Sequence, residues 1–132
     1  MSPWRWQEGG DAVERISEAT APASLNHYVE PDQLRLDTAT ATFRMLADPT
    51  RLLILWILAR GEADVSALIE ETGASRTAVS QHLAKLRFTG LVDTRKEGRR
   101  VIYRIHDGHL SRLIREGINH ADHVVTGEPP HA

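Results

Sequence analysis

The chain has 132 residues, a net charge of −2, no cysteine, and hydrophobic and charged fractions of 41% and 26%, the profile of one folded domain with a modest core. Without thiols there are no disulfides and no thiolate metal sites. No apolar run approaches the roughly 20 residues that span a bilayer, and no basic region followed by an apolar stretch marks a secretory signal, so a cytoplasmic protein with no membrane partner is expected.

Residues 1–30 show no sustained period; with Gly9-Gly10, Pro3, Pro22 and several acids they read as a mobile N-terminal tail, in which Trp4 and Trp6 are unusual. From Pro31 the pattern turns helical, and Leu34, Ala41, Met45 and Leu46 define a first helix ending near Ala47. Asp48-Pro49 is an N-cap followed by proline at the first helical position. The second helix, Pro49 to about Arg60, is apolar on most sides and should be the most buried; Gly61 ends it. Asp64 caps a short third helix over 65–72, stopped by Gly73.

Ser75 caps a fourth helix, Arg76 to Thr89, with Val79, Leu83, Leu86 and Phe88 as its buried side. Two short helices joined by Thr72-Gly73-Ala74-Ser75 form a helix-turn-helix. Leu91–Arg95 and Arg100–Ile105 read as strands around a turn at Lys96-Glu97-Gly98-Arg99. The expected fold is therefore mainly α with a small β-hairpin wing, a winged helix-turn-helix over 31–125. The last helix runs from Asp107 or Gly108 to about Val125, and residues 126–132 form a C-terminal tail.

The small net charge hides an asymmetry. Between Ser75 and Ile105 there are eight basic residues and two acidic ones, a local excess that is the electrostatic footprint of a polyanion partner. On the fourth helix Arg76 and Gln81 suit guanine and adenine edges, and Ser75, Thr77 and Ser80 can reach a base or a phosphate. His82 and Lys85 are placed for phosphate, and Arg95, Lys96, Arg99 and Arg100 form a basic wing tip. These residues make double-stranded DNA the expected partner.

The last helix carries a second chemistry. His109, His120 and His123 project from one edge of its apolar stripe, Leu110, Leu113, Ile114, Ile118 and Ala121, and Asp107 stands at its N-cap. Three imidazoles and a carboxylate can hold a metal, or can be a polar margin with no ligand. Spacing adds a constraint. His109 and His120 are separated by about 16 Å of helix, while metal–nitrogen bonds are about 2 Å, so one straight helix cannot bring both to one ion. Two antiparallel copies can, because the pairs Asp107/His123 and His109/His120 share a midpoint near residue 115; two equivalent inter-subunit sites per dimer follow.

The run Phe43-Arg44-Met45-Leu46-Ala47-Asp48-Pro49-Thr50-Arg51-Leu52-Leu53-Ile54-Leu55 resembles the opening of the ArsR/SmtB metal-responsive repressors. So does Ser75-Arg76-Thr77-Ala78-Val79-Ser80-Gln81-His82-Leu83-Ala84-Lys85-Leu86, with Gly90-Leu91-Val92 and Glu97-Gly98-Arg99-Arg100-Val101-Ile102-Tyr103 after it. The likeness covers roughly 34–123. It implies a homodimer joined through its first and last helices, an apo form bound to an inverted-repeat operator, and an effector that releases it. Family members with a Cys-x-Cys at the third helix sense there; Asp64 and Ser66 stand at those places in this chain. Zinc-type members, and some nickel/cobalt ones, use Asp-x-His near the start of the last helix and a His-x-x-His (or His-x-x-Glu) pair eleven residues on, which Asp107, His109, His120 and His123 match.

The expected metal is Zn(II), whose tetrahedral sites accept three nitrogens and one oxygen. Ni(II) or Co(II) is the alternative, with His27, His131 or the N-terminal amine as further ligands. A family DNA-binding regulator answering a non-metal signal is another alternative. No enzyme is expected, since there is no His-Glu-x-x-His and no placed general base.

Overall fold

The computed structural model of the chain describes residues 28–127; Trp4, Trp6, His27 and His131 lie outside them. Contacts divide the chain after Leu36. In the N-terminal unit the described part is short: Asp32 accepts the Arg35 N–H at 2.9 Å and pairs with its guanidinium at 2.6 Å, starting α1 (Gln33–Leu46).

The body from Asp37 onward carries the remaining elements: α2 (Pro49–Arg60), β1 (Ala63–Asp64), α3 (Val65–Thr72), α4 (Arg76–Phe88), β2 (Val92–Glu97), β3 (Arg100–Ile105) and α5 (Gly108–Thr126). Each helix start has the expected local cause. Asp48, Asp64, Ser75 and Asp107 accept the N–H three residues on, from Arg51, Ala67, Ala78 and Leu110, at 2.8–3.1 Å. Gly73 closes α3 in the left-handed region, φ +71°.

The core forms around α2. Ile54 and Leu55 are fully buried, and Leu68 of α3, Val79, Leu83 and Leu86 of α4, Val92 of β2 and Leu110 and Ile114 of α5 join them in one cluster. Two arginines close helix ends that face this core. Arg51 Nε donates to the Met45 carbonyl at the end of α1 (2.9 Å), and Arg115 of α5 donates to the Ala59 carbonyl at the end of α2, satisfying acceptors that have no partner within their own helices.

One local expectation is extended and two need correction. The expected hairpin wing is formed by β2 and β3, and β1 extends it to a three-stranded antiparallel sheet in the order β1-β3-β2: Ala63 and Asp64 pair with Tyr103 and Ile102. Two residues are too short a strand to leave a periodic signal in sequence. The β2–β3 pairing continues to Glu97 opposite Arg100, so the turn is only Gly98-Arg99. Gly98 alone has positive φ there (+65°), as a type II′ turn requires at its first central position. Phe88 is 93% exposed; it lies two residues past Leu86, about 200° around the helix from the inward face. No helix among the described residues is long and apolar enough to cross a membrane.

Two measurements check this account. Leu86→Ala should cost about 2–5 kcal/mol in denaturant unfolding, the range for a fully buried leucine whose removal leaves a cavity. The Asp64 carboxyl is held below its ordinary value by the Ala67 N–H, then by Arg100. A carboxyl with a depressed folded pKa stabilises above its unfolded pKa, about 3.9, and that contribution is lost as pH falls through the folded value. Thermal unfolding of Asp64→Asn should therefore show a smaller loss between pH 5 and pH 2 than the parent chain shows.

Candidate nucleic-acid and metal sites

The start of α4 fixes the direction of its polar side. With Val79, Leu83 and Leu86 turned into the core, Arg76, Thr77, Ser80, Gln81 and Lys85 are left exposed, as is the capping Ser75. These six expected DNA-facing residues therefore lie on accessible surface of one element. His82 does not lie with them. Its side chain is 19% exposed, Nε2 is 3.7 Å from Asp48 Oδ2, and Nδ1 is buried with no hydrogen-bond partner among the described residues. The ring packs α4 against the start of α2 instead of presenting itself to a phosphate. Asp48 is held below the ordinary carboxylate value, first by the Arg51 N–H and, among smaller causes, by the charges of Arg51 and His82.

The wing arginines are already engaged with carboxylates. Arg95 pairs with Glu62 and, at 3.2 Å, with Glu97; these two partners raise its guanidinium pKa above the ordinary value. Arg100 Nε donates to Asp64 Oδ2 at 2.9 Å. Both contacts tie the wing to the segment that contains β1. Lys96 near the end of β2 and Arg99 in the turn are exposed. Sequence alone gave no sign of Glu62 or Asp64 as partners, because the residues lie 33 and 36 positions away.

The expected metal ligands all sit on or cap one unbroken helix, α5. Asp107 uses Oδ1 as the cap, accepting the Leu110 N–H at 2.8 Å. His109 is exposed, with Nδ1 3.0 Å from Arg112 Nη2. Guanidinium only donates, so Nδ1 accepts and the ring proton of neutral His109 lies on Nε2. His120 is exposed and His123 half-buried, eleven and fourteen residues along. Within one chain, no group of three or more His, Asp or Glu among the described residues could hold an ion.

The apolar residues of α5 divide into two groups. Leu110 and Ile114 are buried in the chain's own core, whereas Leu113 is 37% exposed and Val124 and Val125 are 67% and 84% exposed. Leu113 also borders a shallow cleft of about 210 Å³ with Thr42, Gly90, Leu91 and His109. Leu110 and Ile114 are thus committed to the chain's own core. Arg112, absent from the sequence-based set, was detectable as the residue one turn after His109; Arg115 was not, because its partner is a carbonyl 56 residues away.

Comparison with known proteins places this arrangement. The model of the bacterial regulatory protein arsR family matches residues 48–94. The chain is 45% identical over 89 residues to the HTH-type transcriptional regulator KmtR of Mycobacterium tuberculosis, covering 67% of this chain and 68% of KmtR. It is 39% identical over 118 residues to the HTH-type transcriptional regulator NmtR of the same organism, covering 89% and 92%. Among solved structures it is similar to a homodimeric winged helix-turn-helix DNA-binding domain from Mycobacterium bovis, a possible ArsR-family transcriptional regulator. That match has a TM-score of 0.67 and 33% identity, covering 80% of this chain and 98% of that one. The fold agrees with the Mycobacterium bovis domain, and with these relatives the chain belongs to the ArsR/SmtB family of winged helix-turn-helix DNA-binding transcriptional regulators.

Proposed function

We propose that the protein is a cytoplasmic metal-sensing repressor whose apo homodimer binds an inverted-repeat operator and loses DNA affinity when Zn(II) binds between the last helices. The observation that carries this reading is α5 itself. Asp107 and His109 occupy one end of a continuous helix and His120 and His123 the other, too far apart for one ion, and no other donor group within the described chain completes either half. Each half-set is completed by a second copy: Asp107 and His109 with the partner's His120 and His123. Three imidazoles and one carboxylate fit a closed tetrahedral zinc site.

The exposed Phe43 of α1 and Leu113, Val124 and Val125 of α5 supply apolar surface for such a pairing, in accord with the homodimeric state named for the Mycobacterium bovis domain. Zn(II) bound there would tie the two α5 helices together. The chain's own residues carry the effect onward. Leu110 and Ile114 pack in the same cluster as Leu83 and Leu86 of α4, so a change in the setting of α5 displaces the DNA-facing helix. A coupling of about 1–3 kcal/mol between the sites gives a 5- to 150-fold change in operator affinity.

His120→Ala should leave apo operator binding intact and abolish release by Zn(II), read by fluorescence anisotropy with Ni(II) and Co(II) titrated in parallel. Release by zinc as in the parent chain would show that the ligand set is wrong. A second expectation concerns Arg112. Ligation through His109 Nδ1 displaces its guanidinium, and ligation through Nε2 forces the tautomer that turns Nδ1–H toward it. Arg112→Ala should therefore tighten zinc binding by about three- to tenfold in a chelator-competition titration, the equivalent of one ordinary hydrogen bond.

A further inference from the structure

A cleft of about 260 Å³ opens where the first turn of α3, the start of α4 and the wing turn meet, lined by Ser66, Arg76, Arg99 and Arg100 together with Asp64. Three guanidinium groups thus meet one carboxylate. That carboxylate is already committed, to the Ala67 N–H through Oδ1 and to Arg100 Nε through Oδ2. Arg100 also has Glu97 at 3.8 Å, outside the cleft lining. Arg76 and Arg99 carry no ion pair among the described residues, so the cleft keeps an excess of positive charge.

The direction of Arg76 decides what that charge is for. Side chains on a helix lean toward its N-terminus, and Arg76 is the first residue of α4. Its Nη2 comes within 3.5 Å of Ser66 Oγ on α3. The guanidinium therefore reaches back toward the preceding helix, away from Gln81, which is five positions further along α4. Guanidinium forks match phosphate oxygens in bidentate geometry, and the Ser66 hydroxyl is a further donor at the same place.

We infer that this cleft seats one phosphate of the DNA backbone, so that Arg76 contacts phosphate and not guanine, and base reading falls to Gln81 with Thr77 and Ser80. The inference rests on DNA binding through α4. Phosphate contacts set register and orientation without carrying sequence; a seat built jointly from α3, α4 and the wing would fix how deeply α4 enters the groove.

The test uses the full chain and a duplex selected by that chain from a random pool. Arg76→Ala should weaken binding by a similar factor on the selected duplex and on each single-base-pair variant of it. It should also lower the magnitude of the slope of log K against log salt by about 1, and a new selection with the variant should return the same consensus. Gln81→Ala should instead change the consensus at one position. Loss of a guanine preference in the Arg76→Ala selection, or an unchanged salt slope, overturns the inference. If the parent chain selects no consensus, sequence-specific reading through α4 fails, while the salt slope on a random duplex still decides the phosphate seat.

Inorganic phosphate distinguishes the other source of the same chemistry. At matched ionic strength, sodium phosphate should displace DNA no better than sodium chloride. Stronger displacement by phosphate, abolished in Arg76→Ala, would assign the cleft to the free anion and overturn the backbone seat.

Discussion

Among the described residues, the surfaces proposed to meet DNA and a metal are aimed by the burial of α2. Ile54 and Leu55 have no solvent exposure, and every other helix of the body, except α1, sends at least one fully or nearly buried apolar side chain against the same cluster. Because interiors are close-packed, the positions of Val79, Leu83 and Leu86 leave α4 one rotational setting. That setting exposes Thr77, Ser80 and Gln81. The same constraint orients α5 through Leu110 and Ile114, which leaves His109 and His120 on the surface. The functional faces are the complements of the buried ones.

Electrostatics plays a different part from the one its sequence distribution implies. The eight basic residues between Ser75 and Ile105 read as one surface for a polyanion partner, yet Arg95 and Arg100 are held by Glu62, Asp64 and Glu97. These pairs are exposed, so each contributes little to stability. Their effect is geometric: they hold the two-stranded part of the wing beside β1 and leave Lys96 and Arg99 exposed at its far end. Charge that binds the protein to itself, on Arg95 and Arg100, flanks the charge directed outward, on Lys96 and Arg99.

What could be read from sequence follows the range of the interaction concerned. Asp48-Pro49, Asp64, Gly73, Ser75 and Asp107 announced the helix boundaries correctly because capping acts within three or four residues. The eleven-residue gap in α5 was equally legible, being a matter of helix rise alone. Features set by distant partners were not: the pairing of Ala63 with Tyr103, the inward turn of His82 toward Asp48, and the hold of Glu62 on Arg95. Phe88 was misplaced for a further reason. Hydrophobicity alone assigned it to the core, although its angular position on α4 pointed outward.

The contact of Arg115 with the Ala59 carbonyl has a mechanical consequence. A helix held only by apolar side chains can slide or roll a little at small cost, since such contacts are non-directional. A guanidinium pinned to the last turn of the neighbouring helix removes that freedom, because rolling α5 strips a half-buried acceptor of its partner. Torque applied to either end of α5 is then delivered to α2, and through it to the packed base of α4, with little lost to slippage. The joint between α5 and α2 is stiff, and a stiff joint is what lets a 19-residue helix act as a lever arm instead of a flexible strap.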